Sequence, residues 1–366
     1  MNLFLIFLAI LFVYIIYRVS RRIYPTINVN INGSVSPIIQ KMKSLKVPYR
    51  PTPWLIGPHA QTIYGMRYRP KHLKYRREIF TFDDNGQCAL DFYDPFNETN
   101  SFTDGTPIVM IIHTLAGGTR EPCSNNLAEA ARRKGYRALV YNNRGCSGVP
   151  FTSKRFYNAL LSDDTEAVIH YLKDKYKPRQ LFLVGFSLGA YMAAQYDIHE
   201  GLVDGVALVS HTYDGNGAND MLKKPIQRKL YLPVMMTKVT HLLSKDHFVN
   251  YPEALKATTL DEYDRLYTCK EYNIESVYDY YDQCCLYKKV PLFKAPTLVL
   301  GADNDPFTKK SFMPIKEIEK SDKCAFVHVS EGGHVSFPIG MDAKKSYIDV
   351  VVLDFFDTII QLQQSI

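Results

Sequence analysis

Three side chains in the second half of the chain have the types and the order that nucleophilic catalysis requires. Ser187 is the middle residue of a Gly-x-Ser-x-Gly sequence, with an apolar run of strand character before it (181–186) and helix-forming residues after it. A strand that turns at once into a helix strains its central residue and exposes the serine hydroxyl at the tip of the turn. We therefore interpret Ser187 as a nucleophile. The alternative is an ordinary strand–helix turn whose glycines only permit close packing.

A serine hydroxyl is a weak nucleophile near neutral pH, so it needs a base and a group that orients that base. His334 follows the last predicted strand after two glycines, and its imidazole could take the serine proton and return it to the leaving group. The loop after an earlier buried strand supplies two acidic candidates, Asp303 and Asp305. The order serine, acid, histidine is typical of hydrolases built on a parallel sheet.

Backbone N–H groups must stabilise the negative charge that forms on the substrate during acyl transfer. The predicted donors are Leu188, directly after the nucleophile, and Leu115, in the loop that follows the strand at 107–113. Thr114 stands in this loop where a glycine is more usual, and its β-branched side chain restricts the backbone. The shape of the oxyanion hole therefore depends on how Thr114 is accommodated.

Apolar strand-like runs and helix-forming stretches alternate along residues 78–366. A hairpin is predicted around Asp84-Asn85-Gly86, and helices are predicted at 124–135, 157–176, 309–319 and 343–362. Further strands are predicted at 107–113, 137–142, 181–186, 205–210, 296–300 and 325–330. This pattern predicts an α/β fold with a mostly parallel central sheet covered by helices on both faces. From about 212 to 291 the alternation breaks, and tyrosine, methionine and leucine residues at helical spacing predict a helical cap insertion.

The first residues of the chain read as a membrane segment. Residues 3–17 carry no charge, and Arg18, Arg21 and Arg22 follow them. A basic start and a small-residue cleavage site, which a signal peptide needs, are both missing from the sequence. We therefore interpret 1–24 as a single-pass membrane anchor, although 15 apolar residues are short for a span of roughly 17–25. The expected location is an endomembrane such as that of the endoplasmic reticulum, and the positive-inside rule favours a cytosolic domain.

The charge is concentrated before the predicted domain. Residues 1–77 hold 13 of the 44 Lys and Arg residues and no acidic residue, so the remainder carries 31 basic against 37 acidic residues. A basic segment at 25–77 suits an anionic lipid surface, and a solvated linker is the alternative. Nucleic acid is a poor partner for this chain, because the remaining part is acidic and contains no binding motif.

Cysteine usage points to a reduced protein without a metal site. The seven cysteines are odd in number and lack the spacing of metal ligands. The chemistry outlined above needs neither a metal ion nor an organic cofactor. Two glycosylation sequons, at Asn32 and Asn97, matter only if the domain is luminal.

Several sequence blocks together resemble one family. They lie at 54–62, 90–92, 141–146, 185–190, 296–305 and 332–334. In these blocks the chain resembles the YheT-like (AB-hydrolase-4) branch of the α/β-hydrolase superfamily, which contains membrane-anchored esterases and lipases. The resemblance covers nearly everything after the first segment. It implies that Ser187 is the nucleophile, His334 the base and Asp305 the acid, with Asp303 as the alternative if the loop is shifted by two residues.

The resemblance also implies a class of substrate. These are lipid esters such as acylglycerols, phospholipids and medium- or short-chain acyl esters, cleaved through an acyl-enzyme on Ser187. One alternative is acyl transfer to an alcohol by the same three residues, which differs only in what attacks the acyl-enzyme. The other is a catalytically silent protein that binds lipid or acts as a scaffold. Thr114 departs from the usual pattern, as does Cys285, which stands where the family usually has a small hydroxyl residue.

Overall fold

A computed structural model of the chain describes residues 3–68, 73–93, 105–245 and 251–365. Within these residues, nine strands form one sheet with the order β1-β9-β8-β7-β6-β4-β5-β3-β2. The strands are β1 (Thr26–Val29), β2 (Arg76–Thr81), β3 (Gln87–Tyr93), β4 (Ile108–Ile112), β5 (Arg137–Asn142), β6 (Leu181–Phe186), β7 (Gly205–Val209), β8 (Thr297–Ala302) and β9 (Cys324–Val329). A separate short ribbon pairs β10 (Pro338–Ile339) with β11 (Lys345–Ser346).

Six neighbouring strands, β4 to β9, run parallel, while β2, β3 and β1 add antiparallel strands at the two edges. Strands β4, β5, β6 and β7 are buried along their whole length, as apolar runs covered on both faces should be. Because the parallel strands end at one edge, the loops after β4, β6, β8 and β9 meet there. The predicted α/β architecture with a mostly parallel sheet is confirmed.

The longer helices outside the cap are α1 (Leu3–Ser20), α2 (Ser36–Lys41), α3 (Gly57–Arg67), α4 (Pro122–Arg133), α5 (Asp163–Tyr176), α6 (Leu188–His199) and α14 (Tyr347–Gln363). Two apolar cores lie on opposite faces of the sheet, and β4 shows the division. Met110 packs into the core that includes residues of α5 and α6, whereas Val109 and Ile111 pack into the core that includes α4 and α14. Alternate side chains of a strand point to opposite faces, so one apolar strand supplies both cores.

The insertion between β7 and β8 is helical in its described part. It contains α7 (Gly215–Leu222), α8 (Pro225–Leu230), α9 (Leu232–Leu243), α10 (Leu260–Tyr263), α11 (Cys269–Glu271) and α12 (Val277–Cys284). A short 3₁₀ turn, Pro252–Lys256, lies between α9 and α10, and another, Tyr287–Leu292, lies between α12 and β8. A π-helical turn, Asp264–Thr268, lies between α10 and α11. We call the whole insertion the cap.

Some elements differ from the sequence-based prediction. Helix α5 begins at Asp163 rather than at 157, because residues 156–160 pass beneath the cap instead. In place of a helix at 309–319 there is a 3₁₀ turn, Lys310–Phe312, and a single turn α13, Ile315–Ile318, because Pro314 interrupts the helical hydrogen bonds. The basic segment 25–77 contains regular elements that were not predicted, namely β1, α2 and α3.

The prediction of a single-pass membrane location was wrong. Across the described ranges, the helices all fall short of the length and apolar character that a bilayer span requires. Helix α1 has 18 residues, about 27 Å at the usual rise per residue, against roughly 30 Å of hydrocarbon. Its last turn also belongs to the domain, because Arg18 is buried, donates to the Pro53 carbonyl and lies 3.3 Å from Glu331.

Candidate active site

Ser187 occupies a strained turn between β6 and α6. Its backbone has φ 52° and ψ −112°, a conformation that few non-glycine residues adopt. Small residues on either side make this turn possible. A Cβ on Gly185 would lie 2.3 Å from the Gly189 carbonyl oxygen, and one on Gly189 would lie 2.4 Å from the Ile112 carbonyl oxygen. The two glycines of the motif therefore let α6 approach the sheet closely enough to hold the serine at its tip.

His334 lies between Ser187 and Asp305. Its Nε2 is 2.9 Å from the Ser187 hydroxyl oxygen and its Nδ1 is 2.8 Å from a carboxylate oxygen of Asp305. A carboxylate can only accept a hydrogen bond, so Nδ1 carries the proton. Nε2 is therefore free to accept a hydrogen bond from the serine hydroxyl. The Asp305 side chain is fully buried, and its other oxygen accepts from the Phe307 N–H at 2.8 Å. This arrangement orients the imidazole to remove a proton from the serine.

The structure separates the two acidic candidates of the loop after β8. Asp303, two residues before Asp305, accepts a hydrogen bond from Nδ1 of His328 at 2.7 Å. His328 lies in β9, is buried, and stacks on the ring of Phe326. Burial lowers the pKa of the His328 imidazole, so it is neutral in this pair. Of the two aspartates, it is Asp305 that the structure places against His334.

Helix α3 positions the loops that carry His334 and Asp305. The sequence did not reveal this role of the helix. Thr62 accepts a hydrogen bond from the His334 N–H at 2.9 Å, and Gln61 accepts from the N–H of Gly332 at 3.1 Å. Asn304 donates to the Gln61 side chain and accepts from the next glycine N–H. Gln61 and Thr62 are both fully buried. Both residues lie within the block at 54–62, which is one of the blocks that carry the family resemblance. This resemblance was the sequence signal that could have indicated their role.

Three N–H groups in the loop after β4 have hydrogen-bond partners within the domain. The Thr114 N–H donates to Glu121 at 3.1 Å, the Ala116 N–H donates to the Tyr157 hydroxyl at 2.8 Å, and the Gly117 N–H donates to the Thr114 carbonyl. Within the described residues, the Leu115 N–H has no such partner.

Leu188 offers a second N–H group. It is the first residue of α6, where N–H groups have no partner inside the helix. Leu115, Leu188 and Ser187 all line one cavity. The two residues predicted as oxyanion donors therefore border the same cavity as the serine, and their role as donors stays a prediction.

A cavity of about 240 Å³ opens beside Ser187 and His334, and the cap covers it. Leu222, Met235 and Val239 come from cap helices α7 and α9, and most of the remaining wall is apolar as well. Such a wall suits the hydrocarbon part of an ester, because burying apolar surface is favourable.

Three further residues with reactive or charged side chains form structural contacts or lie away from Ser187. His113 is buried and neutral, since burial lowers its pKa; its Nδ1 donates to the Thr114 carbonyl. Arg144 forms two hydrogen bonds to Asp164 and one to Asp84, and so ties the β2–β3 turn to the start of α5. His199 lies at the far end of α6, about 16 Å along the helix from its beginning.

The cysteine, histidine and acidic side chains outside the catalytic group are dispersed. In the described ranges, His, Cys, Asp and Glu side chains nowhere cluster in a group able to hold a metal ion. All seven cysteines are free. Cys285, the departure noted in the sequence, lies in the cap with its sulfur 2.6 Å from the Tyr213 carbonyl oxygen.

Several known proteins are similar to this chain. A family profile described as "alpha/beta hydrolase fold" matches residues 107–340. An abhydrolase domain-containing protein of Dictyostelium discoideum is 29% identical over 90% of this chain and 87% of its own length. Human phospholipase ABHD3 is 26% identical over 86% of this chain and 79% of its own length. A monoacylglycerol lipase of Saccharomyces cerevisiae is 25% identical over 73% of this chain and 63% of its own length.

Solved structures share the fold at low identity. A 2,6-dihydroxy-pseudo-oxynicotine hydrolase superposes with a TM-score of 0.54 and 13% identity, over 79% of this chain and 69% of that one. An esterase of Pyrococcus furiosus gives a TM-score of 0.50 and 15% identity, over 80% of this chain and 93% of that one. At these identities the likeness concerns the fold alone.

Proposed function

The chain belongs to the α/β-hydrolase family, and we propose that it hydrolyses lipid esters through an acyl-enzyme on Ser187. It is a carboxylic ester hydrolase, in keeping with the family match and with relatives named as a phospholipase and a monoacylglycerol lipase. The observation that carries the proposal is the position of His334, within hydrogen-bond reach of both Ser187 and Asp305 at the edge of a mainly apolar cavity. The same blocks of sequence support placing the chain in the YheT-like branch of the family.

In the first step, the Ser187 oxygen attacks the ester carbonyl carbon while Nε2 of His334 takes the hydroxyl proton. The carbonyl oxygen becomes negatively charged, and the N–H groups of Leu115 and Leu188 stabilise that charge. The C–O bond to the alcohol then breaks, and His334 gives its proton to the departing alcohol. Asp305 remains ionised throughout and stabilises the imidazolium that forms between the two transfers.

In the second step, water attacks the acyl-enzyme. His334 takes a proton from the water while the water oxygen bonds to the acyl carbon. The N–H groups of Leu115 and Leu188 again stabilise the charged carbonyl oxygen. When the bond from the acyl carbon to Ser187 breaks, His334 returns the proton to the serine. The products are a carboxylic acid and an alcohol, and no further reactant is consumed.

The cavity supports a lipid ester as the substrate. Its walls come from the active-site loops and from cap helices α7 and α9, with Leu222 and Val239 among the apolar side chains. At about 240 Å³ it is small beside the roughly 300–1,000 Å³ of typical ligand sites. We therefore expect it to enclose one chain of the substrate, which an acylglycerol, a phospholipid or a medium- or short-chain acyl ester would all supply.

Labelling by a fluorophosphonate tests the nucleophile, and hydrolysis of a monoacylglycerol and a phospholipid tests the substrate class. We expect the wild type to be labelled and to release fatty acid, and Ser187→Ala and His334→Ala to do neither above about a thousandth of the wild-type rate. Circular dichroism of each variant shows that it is folded. A folded wild type that is neither labelled nor active on esters would overturn the proposal and favour a silent scaffold.

A further inference from the structure

One acidic side chain lines the cavity without taking part in the mechanism above. Asp264 is the first residue of the π-helical turn between α10 and α11, and its side chain forms part of the wall that also includes Ser187. Turns of this kind insert one extra residue into a helix and occur frequently at functional sites. A carboxylate is an unusual component of a cavity whose wall is mainly apolar, because removing it from water costs free energy.

Asp264 retains unused capacity to accept hydrogen bonds. One of its oxygens accepts from the Thr268 hydroxyl at 2.7 Å and the other from the Tyr281 hydroxyl at 2.8 Å. A carboxylate has about four acceptor positions, so these two bonds leave about half of them open. In the part of the chain that the structure describes, Asp264 also forms no ion pair. Its acidic neighbour Asp261 differs, since it is paired with Lys223 at 3.0 Å and does not line the cavity.

The position of Asp264 connects it with the nucleophile through one layer of side chains. Its partner Tyr281 packs against the small apolar cluster that contains Tyr191 and Cys284. Leu188, the residue after the nucleophile, packs against the same cluster. A substrate whose carbonyl lies at Ser187 therefore extends along a wall that includes the carboxylate.

We propose that Asp264 binds a hydrogen-bond donor carried by the ester substrate, a hydroxyl or an ammonium group, and so sets a preference among substrates. This inference rests on the proposed function. The donor occupies the free acceptor positions of the carboxylate, and the hydroxyls of Thr268 and Tyr281 hold that carboxylate in place. A substrate whose corresponding part ends in a methyl group leaves the carboxylate unpaired and binds less well.

Matched esters provide the test. There are two series of three esters, and the three esters of a series share one chain length and end in a methyl, a hydroxyl or a primary ammonium group. The terminal group lies on the alcohol in the first series and on the acyl chain in the second. We expect the wild type to prefer the donor-bearing esters in one series, which identifies the part of the substrate that reaches Asp264. We expect Asp264→Asn to lower kcat/KM at least about tenfold for the ammonium ester, less for the hydroxyl ester, and hardly at all for the methyl ester.

The pH dependence supplies a second readout. Burial raises the pKa of the Asp264 carboxyl to about 6, against the effect of the two hydroxyl donors, and the nearby Asp261 raises it further. Four other titratable groups interact with it and stay neutral, because burial raises their pKa values as well: Cys269, Tyr280, Tyr281 and Cys284. The ratio of kcat/KM for the ammonium ester to that for the methyl ester should therefore fall as the pH drops through about 6. Any group that acts equally on both esters cancels in this ratio.

The control is Asp261→Asn, which removes a carboxylate one turn away that does not line the cavity. We expect it to leave the preference unchanged. An equal loss for all three esters in Asp264→Asn would give the residue a structural role only and would overturn the inference while ester hydrolysis stands. A wild type that hydrolyses none of the esters would overturn the proposed function, and this inference with it.

Discussion

Glu121 holds Thr114 by two hydrogen bonds, one from the backbone N–H at 3.1 Å and one from the side-chain hydroxyl. Thr114 directly precedes Leu115, so the carboxylate holds the residue next to the predicted oxyanion donor, the Leu115 N–H. The threonine that stands where a glycine is more usual therefore has a partner of its own. Lys238 of the cap lies 3.9 Å from Glu121, which links the oxyanion loop to the cap.

We expect Glu121→Ala to slow the chemical step, because the loop that carries the Leu115 N–H loses its two anchoring bonds. Loss of a whole oxyanion donor costs about 10²–10³ in kcat, so a misplaced donor should cost about 10–100-fold. KM should change much less, since the cavity wall remains. The measurement is steady-state kinetics with a soluble ester.

Glu129→Ala is the matched control for Glu121→Ala. Glu129 lies on α4, the helix that Glu121 directly precedes, and forms an exposed pair with Arg133 at 2.6 Å. Exposed pairs of this kind contribute little, so we expect unchanged kinetics. If Glu121→Ala raised KM and left kcat unaltered, Glu121 would be acting on substrate binding rather than on the oxyanion loop.

Thr62→Val tests the support that α3 gives to the histidine loop. The change keeps the shape of the side chain but removes the oxygen that accepts from the His334 N–H. A buried N–H left without a partner costs about 1–3 kcal/mol. We expect lower thermal stability together with a lower kcat, because the imidazole is less well oriented.

Thr62→Ser distinguishes this role from simple packing. It retains the hydroxyl and loses a methyl group, so we expect most of the activity to return while some stability is still lost. Ester hydrolysis and thermal unfolding, measured on both variants, provide the comparison. A fully active Thr62→Val would show that the bond to His334 is dispensable.

The sequence was informative where the pattern is local. The apolar runs that became β4 and β6 and the order of Ser187, Asp305 and His334 could be read along the chain, because strand character and family order are both encoded in short segments. The role of Thr62 could not be read, since the bond to His334 joins positions 272 residues apart. Periodicity reports which face of an element is buried, and it does not report which distant loop that face meets.

The same limit explains two other differences. Strand β1 pairs with β9 from nearly the opposite end of the chain, so its pairing leaves no local signal. The run at 3–17 resembles a membrane segment because it is apolar and is followed by basic residues. Its end at Arg18 is held by Pro53 and Glu331, contacts that only the folded chain reveals.

Asp305→Asn and Asp303→Asn form a pair of variants that identifies the acid. The Asp305 carboxylate holds His334 in the form that carries its proton on Nδ1, and an amide does not. We therefore expect kcat to fall by about three to four orders of magnitude. Asp303→Asn should leave kcat nearly unchanged, because Asp303 is bonded to His328 and the amide oxygen can still accept from it. Ester hydrolysis and fluorophosphonate labelling measure both. The reverse ranking would assign the acid to Asp303.

The carboxylate of Asp264 should reduce the stability of the protein at neutral pH. Burial raises its pKa to about 6, whereas in the unfolded chain it is about 4. Between these values the native state binds more protons than the unfolded state, so the free energy of unfolding decreases as the pH rises from about 4 to above 6. We expect Asp264→Asn to raise Tm by about 2 °C or more near pH 8 and to give no such gain near pH 4.

Asp261→Asn should behave in the opposite way. Burial acts to raise the pKa of the Asp261 carboxyl, but hydrogen bonds from Thr259 and Lys223 outweigh it and lower the pKa overall. Its ionised form therefore stabilises the native state above the unfolded pKa, and this contribution is lost as the pH falls. We expect Asp261→Asn to unfold at a slightly lower temperature than the wild type near pH 8, with the difference disappearing in acid. Thermal unfolding of the wild type and both variants across this pH range provides the measurement. If Asp264→Asn unfolded at a lower temperature than the wild type near pH 8, the hydrogen bonds from Thr268 and Tyr281 would outweigh the cost of burying the Asp264 charge.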